Sequence, residues 1–134
     1  MRILIVDSSA PIIERLEEII AEAEHLTAIH SAVFYEEAKK LCKQNKYDAV
    51  LLDIDLPGNE SLKLVKEIRK SGRRPCIIIL FTHLDNYIRE QFKLLDVIFF
   101  FDKYYDFEKI GGLLEKLSFT NTKGDLGEKR QMNP

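Results

Sequence analysis

Four polar residues stand at the ends of short apolar runs. Asp7 follows Ile3-Leu4-Ile5-Val6, Asp53 follows Ala49-Val50-Leu51-Leu52, and Thr82 follows Cys76-Ile77-Ile78-Ile79-Leu80-Phe81. Lys103 follows Val97-Ile98-Phe99-Phe100-Phe101-Asp102. Ser8 comes directly after Asp7, and Asp55 stands two residues beyond Asp53. Two carboxylates, a hydroxyl and a lysine are the parts of an acidic pocket for a divalent cation and a phosphoryl group. Hard carboxylate oxygens suit magnesium, which takes one or two of them and keeps several waters. An aspartate can attack phosphorus, and the product is an acyl phosphate. The phosphoryl oxygens then need positive or hydrogen-bond-donating partners, which a metal, a lysine and a hydroxyl supply.

The elements that must hold these residues are legible from apolar periodicity. Ile3–Val6, Ala49–Asp53 and Cys76–Thr82 are continuous apolar, β-branched runs, the pattern of strands buried on both faces. Thr27–His30 is a weaker strand, and Val97–Phe101 is a fifth. Between them run helical patterns. Ile12, Ile13, Leu16, Ile19, Ile20 and Ala23 form one, entered through a Ser N-cap and Pro11. A second spans Tyr35 to Asn45, and Leu62, Leu64, Val65 and Ile68 carry a third that stops at Ser71-Gly72. Tyr87, Ile88, Phe92 and Leu95 mark a fourth, and Phe107, Ile110, Leu113, Leu114 and Leu117 a fifth. Alternating strands and helices predict an α/β fold, a doubly wound five-stranded parallel sheet with helices on both faces. In such sheets ligands gather at the carboxyl ends of the strands, where all four polar residues stand.

The sequence has 134 residues and 46% hydrophobic side chains, enough for one core. Twenty basic and 22 acidic side chains leave a net charge of −2, which gives no general attraction to nucleic acid or to an anionic membrane. No apolar run approaches the roughly 20 residues of a membrane span, and the N-terminus lacks a signal-peptide layout. The basic stretch Lys63, Lys66, Arg69, Lys70, Arg73 and Arg74 reads as a solvated helix face. Cys42 and Cys76 read as small apolar residues in a reducing compartment, so a cytoplasmic location is expected. Residues 119–134 are polar and lack periodicity, and are expected to be a disordered tail after a folded unit of 1–118.

The four strand-end motifs, Ile-Leu-Ile-Val-Asp7, Leu-Leu-Asp53-Ile-Asp-Leu-Pro57-Gly, Leu-Phe-Thr82 and Phe-Phe-Asp-Lys103, resemble the receiver (CheY-like) domains of two-component response regulators, the single-domain type in particular. The resemblance covers roughly Ile3 to Leu117. It implies the flavodoxin-like strand order 2-1-3-4-5 and a phosphoacceptor at Asp53. It makes Thr82 the switch hydroxyl, Lys103 the phosphoryl contact and Phe100 the switch aromatic. Asp7, Asp53 and the backbone carbonyl of Asp55 become magnesium ligands. It further implies a signalling protein with at most self-catalysed phosphorylation and dephosphorylation. Its phosphodonor would be a histidine kinase or phosphotransfer protein, its output a downstream protein target. Pairing through helix four, strand five and helix five would give a homodimer.

The sequence departs from that family in ways that matter. The usual pair of adjacent acids is Asp7-Ser8 here. Ser61 replaces a Gly after the Pro loop, His83 a small residue after the switch hydroxyl, Asp96-Val97 a Gly-Ala, and Tyr104 a Pro. Losing one acid takes the pocket from −2 to −1. At an effective dielectric of about 20, one unit charge some 4 Å away is worth roughly 4 kcal/mol per charge on an ion before desolvation. Magnesium binding is therefore expected to be weak, with Ser8 contributing through its hydroxyl or a water and the Asp55 side chain as a possible substitute. Two functions follow: a stand-alone receiver phosphorylated on Asp53, or a pseudo-receiver that binds proteins without phosphorylation. An FMN-binding protein of the same sheet order does not fit, because Ser8-Ser9-Ala10-Pro11 lacks the glycine of a phosphate cradle.

Overall fold

The structure is a computed structural model that describes residues 1–23 and 28–126. Five strands, β1 (Arg2–Val6), β2 (Ala28–Ala32), β3 (Ala49–Asp53), β4 (Cys76–Phe81) and β5 (Phe99–Asp102), form one sheet in the order β2-β1-β3-β4-β5. Every neighbouring pair is parallel. This is the flavodoxin-like order expected from the sequence. Thr27, expected to open the second strand, lies outside the described residues.

Four α-helices connect the strands, α1 (Ala10–Ala21), α2 (Tyr35–Gln44), α3 (Glu60–Lys70) and α4 (Asn86–Lys93), and α5 (Phe107–Leu126) follows the last strand. The side-chain alternation of a strand assigns them to two layers. Leu4, Val6, Val50, Leu52, Ile77 and Ile79 face α2, α3 and α4, where Ala38, Leu64, Val65 and Phe92 meet them. Ile3, Ile5, Ala49, Leu51, Ile78 and Leu80 face the other way, onto Ile13, Leu16 and Ile20 of α1 and Ile110 and Leu114 of α5. Burial on both faces explains why these strands read as unbroken apolar runs.

The helix ends follow local chemistry. Ser9 caps α1 by accepting from the Ile12 N–H, with Pro11 in the first turn. Asp85 caps α4 by accepting from the Ile88 N–H at 3.1 Å. Gly72, at φ 87°, follows α3 in the left-handed conformation that glycine reaches without strain. At the end of α4 the Val97 N–H reaches Phe92 O at 3.2 Å and the Asp96 N–H reaches Lys93 O at 3.0 Å. This is the paired closure of a Schellman motif, with Asp96 at φ 63° in the left-handed position. Val97 is spent on that closure, so β5 starts at Phe99 rather than at Val97.

One expectation is corrected. Apolar periodicity ends at Leu117, yet α5 continues to Leu126, so residues 119–126 are helix and not disordered tail. A helix already nucleated gains a hydrogen bond for each further residue and needs no apolar face to do so. Residues 127–134, the rest of the expected tail, lie outside the described residues.

Candidate functional site

Strand order reverses between β1 and β3, and Asp7 and Asp53 stand at the carboxyl ends of these two strands. The backbone ladder fixes them. The Asp7 N–H bonds Ala32 O at 3.1 Å, and Asp53 is in register with Leu80. On the far side of β4, the Lys103 N–H bonds Phe81 O at 2.8 Å and extends the β4–β5 pairing by one residue. Both carboxylates are buried, Asp7 at 0% and Asp53 at 2% exposure.

Lys103 joins them. Its Nζ lies 2.9 Å from Asp7 Oδ2 and 3.1 Å from Asp53 Oδ1. The remaining contacts come from the backbone. Asp7 Oδ1 accepts from the Ser9 N–H at 2.9 Å, and Asp53 Oδ1 accepts from the Asp55 N–H at 2.9 Å. Asp7 Oδ2 is fully buried and has no well-directed hydrogen bond; the ammonium is near it by distance only. Burial pushes the Asp7 carboxyl above the usual aspartate range. The Lys103 ammonium and the Ser9 N–H oppose that rise, and the nearby Asp53 charge adds to it. Burial alone would lower Lys103, but the two carboxylates outweigh it and hold the ammonium above the ordinary lysine range.

The loop carrying Lys103 is braced from below. Asp102 Oδ1 accepts from the N–H groups of Tyr104 and Tyr105 at 2.7 and 3.1 Å, and Asp106 Oδ2 accepts from the Asp102 N–H at 2.8 Å. Ser61 does the same for Asp53. It is 1% exposed, and its hydroxyl donates to the Asp53 backbone carbonyl. In the sequence Ser61 stands out only as a departure from a glycine. The available signal was its spacing: Ser61, Leu64, Val65 and Ile68 fall at i, i+3, i+4 and i+7, one buried face of α3.

The other expected residues sit further out. Thr82 is exposed immediately past the end of β4. Ser8 is exposed beside Asp7, and the Asp55 side chain is exposed rather than leaning into the pocket. Phe100 is half-buried on β5, in register with Ile79, and its ring packs edge-on to Phe92 at 6.4 Å between centroids. The Arg89 guanidinium lies 5.0 Å from the Phe100 ring centroid.

The donor set fits magnesium in its sparser form. Two buried carboxylates and one buried oxygen without a directed hydrogen bond are what the ion takes when waters fill its remaining positions. Among the described residues no group of three acidic, His or Cys side chains assembles.

Comparison with known proteins gives the family. The model of the response regulator receiver domain matches residues 3–115. The chain belongs to the response regulator receiver family. The receiver is 27% identical over 121 residues to the sensory transduction protein LytT of Bacillus subtilis, covering 90% of this chain and 49% of LytT. It is 28% identical over 86 residues to the Escherichia coli response regulator UvrY, covering 64% of this chain and 39% of UvrY. This chain thus spans less than half the length of either relative. Among solved structures, it superposes on the N-terminal domain of an uncharacterised Wolinella succinogenes protein with a TM-score of 0.82 at 24% identity, covering 92% of this chain and 98% of that one. That likeness concerns the receiver fold alone. Family membership supports a phosphoacceptor signalling role.

Proposed function

We propose that this receiver accepts a phosphoryl group on the Asp53 carboxylate from a phosphohistidine of a histidine kinase or phosphotransfer protein. A carboxylate oxygen attacks phosphorus, the P–N bond breaks, and the imidazole leaves with the bonding pair. The observation that carries this reading is the buried Asp53 carboxylate at the switch point, held by a backbone N–H on one side and the Lys103 ammonium on the other. Asp7, Asp53 and the Asp55 carbonyl would hold magnesium, which would neutralise charge building up on the phosphoryl oxygens. Lys103 stays charged and can follow the phosphoryl group, and the exposed Thr82 hydroxyl is free to turn toward it. Phe100 would change rotamer in response. Because Arg89 covers its ring, that rotation would carry α4 with it.

Output would run through the face formed by α4, β5 and α5, to a downstream protein or a second copy of the chain. Incubation with acetyl phosphate and magnesium should add the mass of one phosphoryl group, and Asp53→Asn should abolish the addition. A wild type that stays unmodified under strong phosphodonor conditions would favour the second reading, a protein-binding module that works without phosphorylation. The observation behind that alternative is Ser8, exposed and uncharged where the family carries an acid.

A further inference from the structure

The end of the sheet opposite the acidic pocket holds a cleft of about 840 Å³. The half-buried Cys42, Tyr47 and Pro75 supply its accessible apolar surface, over a base closed by the buried Val50, Leu64 and Ile68. Lys39, Lys43 and Lys46 stand on the wall made by α2 and the loop after it. Lys70, Arg73 and Arg74 stand on the opposite wall, made by the end of α3 and the loop before β4. A one-sided solvated face accounts for neither the concavity nor the second set of cations, which lies some thirty residues earlier in the sequence.

Two carboxylates line the same cleft, and both have partners. Asp48 Oδ2 accepts from the Arg2 N–H at 2.7 Å. Glu67 accepts from the Tyr35 hydroxyl and lies 3.4 Å from Lys39 Nζ. Among the described residues no carboxylate pairs with Lys43, Lys46, Lys70 or Arg74. Part of the positive charge answers the carbonyl ends of α2 and α3, each worth roughly half a charge. Arg73 caps α2 outright, donating to Cys42 O and to Asn45 O at 2.6 Å. With six cations, two carboxylates and two helix ends, a surplus of roughly three positive charges faces the cavity.

We propose that this cleft binds a small phosphorylated organic anion of the nucleoside triphosphate class, with its phosphates between the two cationic walls and its apolar part on Cys42, Tyr47 and Pro75. The volume falls within the range of about 300–1,000 Å³ typical of small-molecule sites. Facing cations select a compact polyanion, and the apolar surface distinguishes an organic phosphate from an inorganic one. The site shares no residue with the Asp53 pocket and does not depend on its chemistry.

The test is a titration of the full chain with ATP in EDTA, followed by amide NMR shifts, with tripolyphosphate and adenosine as separate arms. Saturable shifts should centre on Cys42, Lys43, Lys46, Tyr47 and Lys70, with ATP binding at least about tenfold tighter than either fragment. The pair Lys43→Glu and Lys70→Glu should weaken ATP at least about tenfold, as should Lys46→Glu, which alters only an exposed loop position. Lys93→Glu on α4 and Asp53→Asn should leave binding unchanged. Absence of saturable shifts in the cleft at millimolar ATP overturns the proposal, as do equal affinities for ATP and tripolyphosphate. So does tighter competition by a polyglutamate peptide, which would make the cleft a docking site for acidic protein segments.

Discussion

Ser8 and Lys103 decide how the acidic pocket treats charge. With Ser8 in place of an acid, Asp7, Asp53 and Lys103 sum to −1, and the ammonium already lies within about 3 Å of both carboxylates. Ser8→Asp adds one charge at an exposed position, where its own desolvation cost is small. Magnesium affinity should rise at least about tenfold, a conservative fraction of the roughly 4 kcal/mol per ion charge that a neighbouring carboxylate offers at an effective dielectric of 20. Calorimetric titration of both forms checks it, and equal affinities would overturn the charge argument. Lys103→Met tests the opposite side. Removing one partner from a buried ion cluster costs about 3–5 kcal/mol, because the carboxylates are left uncompensated. The pH dependence follows from Asp7. Its folded-state pKa is raised, so its contribution to stability is fully present below the unfolded value near 3.8 and is lost as pH rises through the folded one. Lys103 opposes that rise, and its removal enlarges it. The stability gap between wild type and Lys103→Met in urea should therefore be widest near neutrality and should narrow as pH falls toward the raised Asp7 pKa. A gap that stays constant with pH would mean that the lysine acts through packing alone.

At the scale of elements, the strands were the most legible part, for a definite reason. A strand buried on both faces reads as a continuous apolar run, as Ala49–Leu52 does, each of them fully buried. The strand ends were legible because each apolar run stops at a polar residue, and three of those residues, Asp7, Asp53 and Lys103, do meet. Ser61 was not, because a hydroxyl in the first turn of a helix ordinarily reads as a cap rather than as a partner for a strand carbonyl. The pairing of Lys43 and Lys46 with Lys70 and Arg74 across a cleft was not either, since only the fold brings α2 and α3 together. Arg69 shows the same limit. Its place in a basic run suggests solvent, but its guanidinium reaches Leu95 O at 2.8 Å and Pro75 O at 3.3 Å and ties α3 to the end of α4. That end carries a local cost. Asp96 occupies the left-handed position of the Schellman closure, where most side chains lose about 1 kcal/mol or more relative to glycine. Asp96→Gly should stabilise the fold by about 1 kcal/mol, since the lost conformational penalty outweighs the greater freedom of glycine in the unfolded chain. Thermal unfolding should show a Tm higher by a few degrees. An unchanged or lower Tm would show that the aspartate is held there by a contact worth as much as the strain.

For the whole molecule, the distribution of apolar surface points to one face. Tyr87 and Leu94, in α4 and at its end, Ile98 just before β5, and Tyr104 and Tyr105 beyond it are each at least 70% exposed. Single exposed apolar residues are ordinary, but five large ones on successive elements along one edge of the sheet are more than a solvated surface needs. Phe99 is not among them, because it is half-buried against the α1–α5 layer. The edge strand β5 adds a second reason. Its outer backbone groups make an unpaired sheet edge, which proteins cover or blunt. A second copy of the chain would cover both features, and a two-fold arrangement is the commonest closed solution for a self-complementary patch. If Phe100 turns when Asp53 is phosphorylated, it does so beneath this face, so the acidic pocket and the patch would be coupled through Arg89 and α4. Light scattering from micromolar to millimolar protein should show the mass rising toward that of a dimer. Ile98→Glu or Tyr104→Glu should hold it at the monomer, because each places a charge in the centre of the patch without disturbing the core. A strict monomer at the highest concentration removes the homodimer. The face then stands or falls on a heterologous partner, and a partner that binds both glutamate variants at wild-type affinity would place the output surface elsewhere on the molecule.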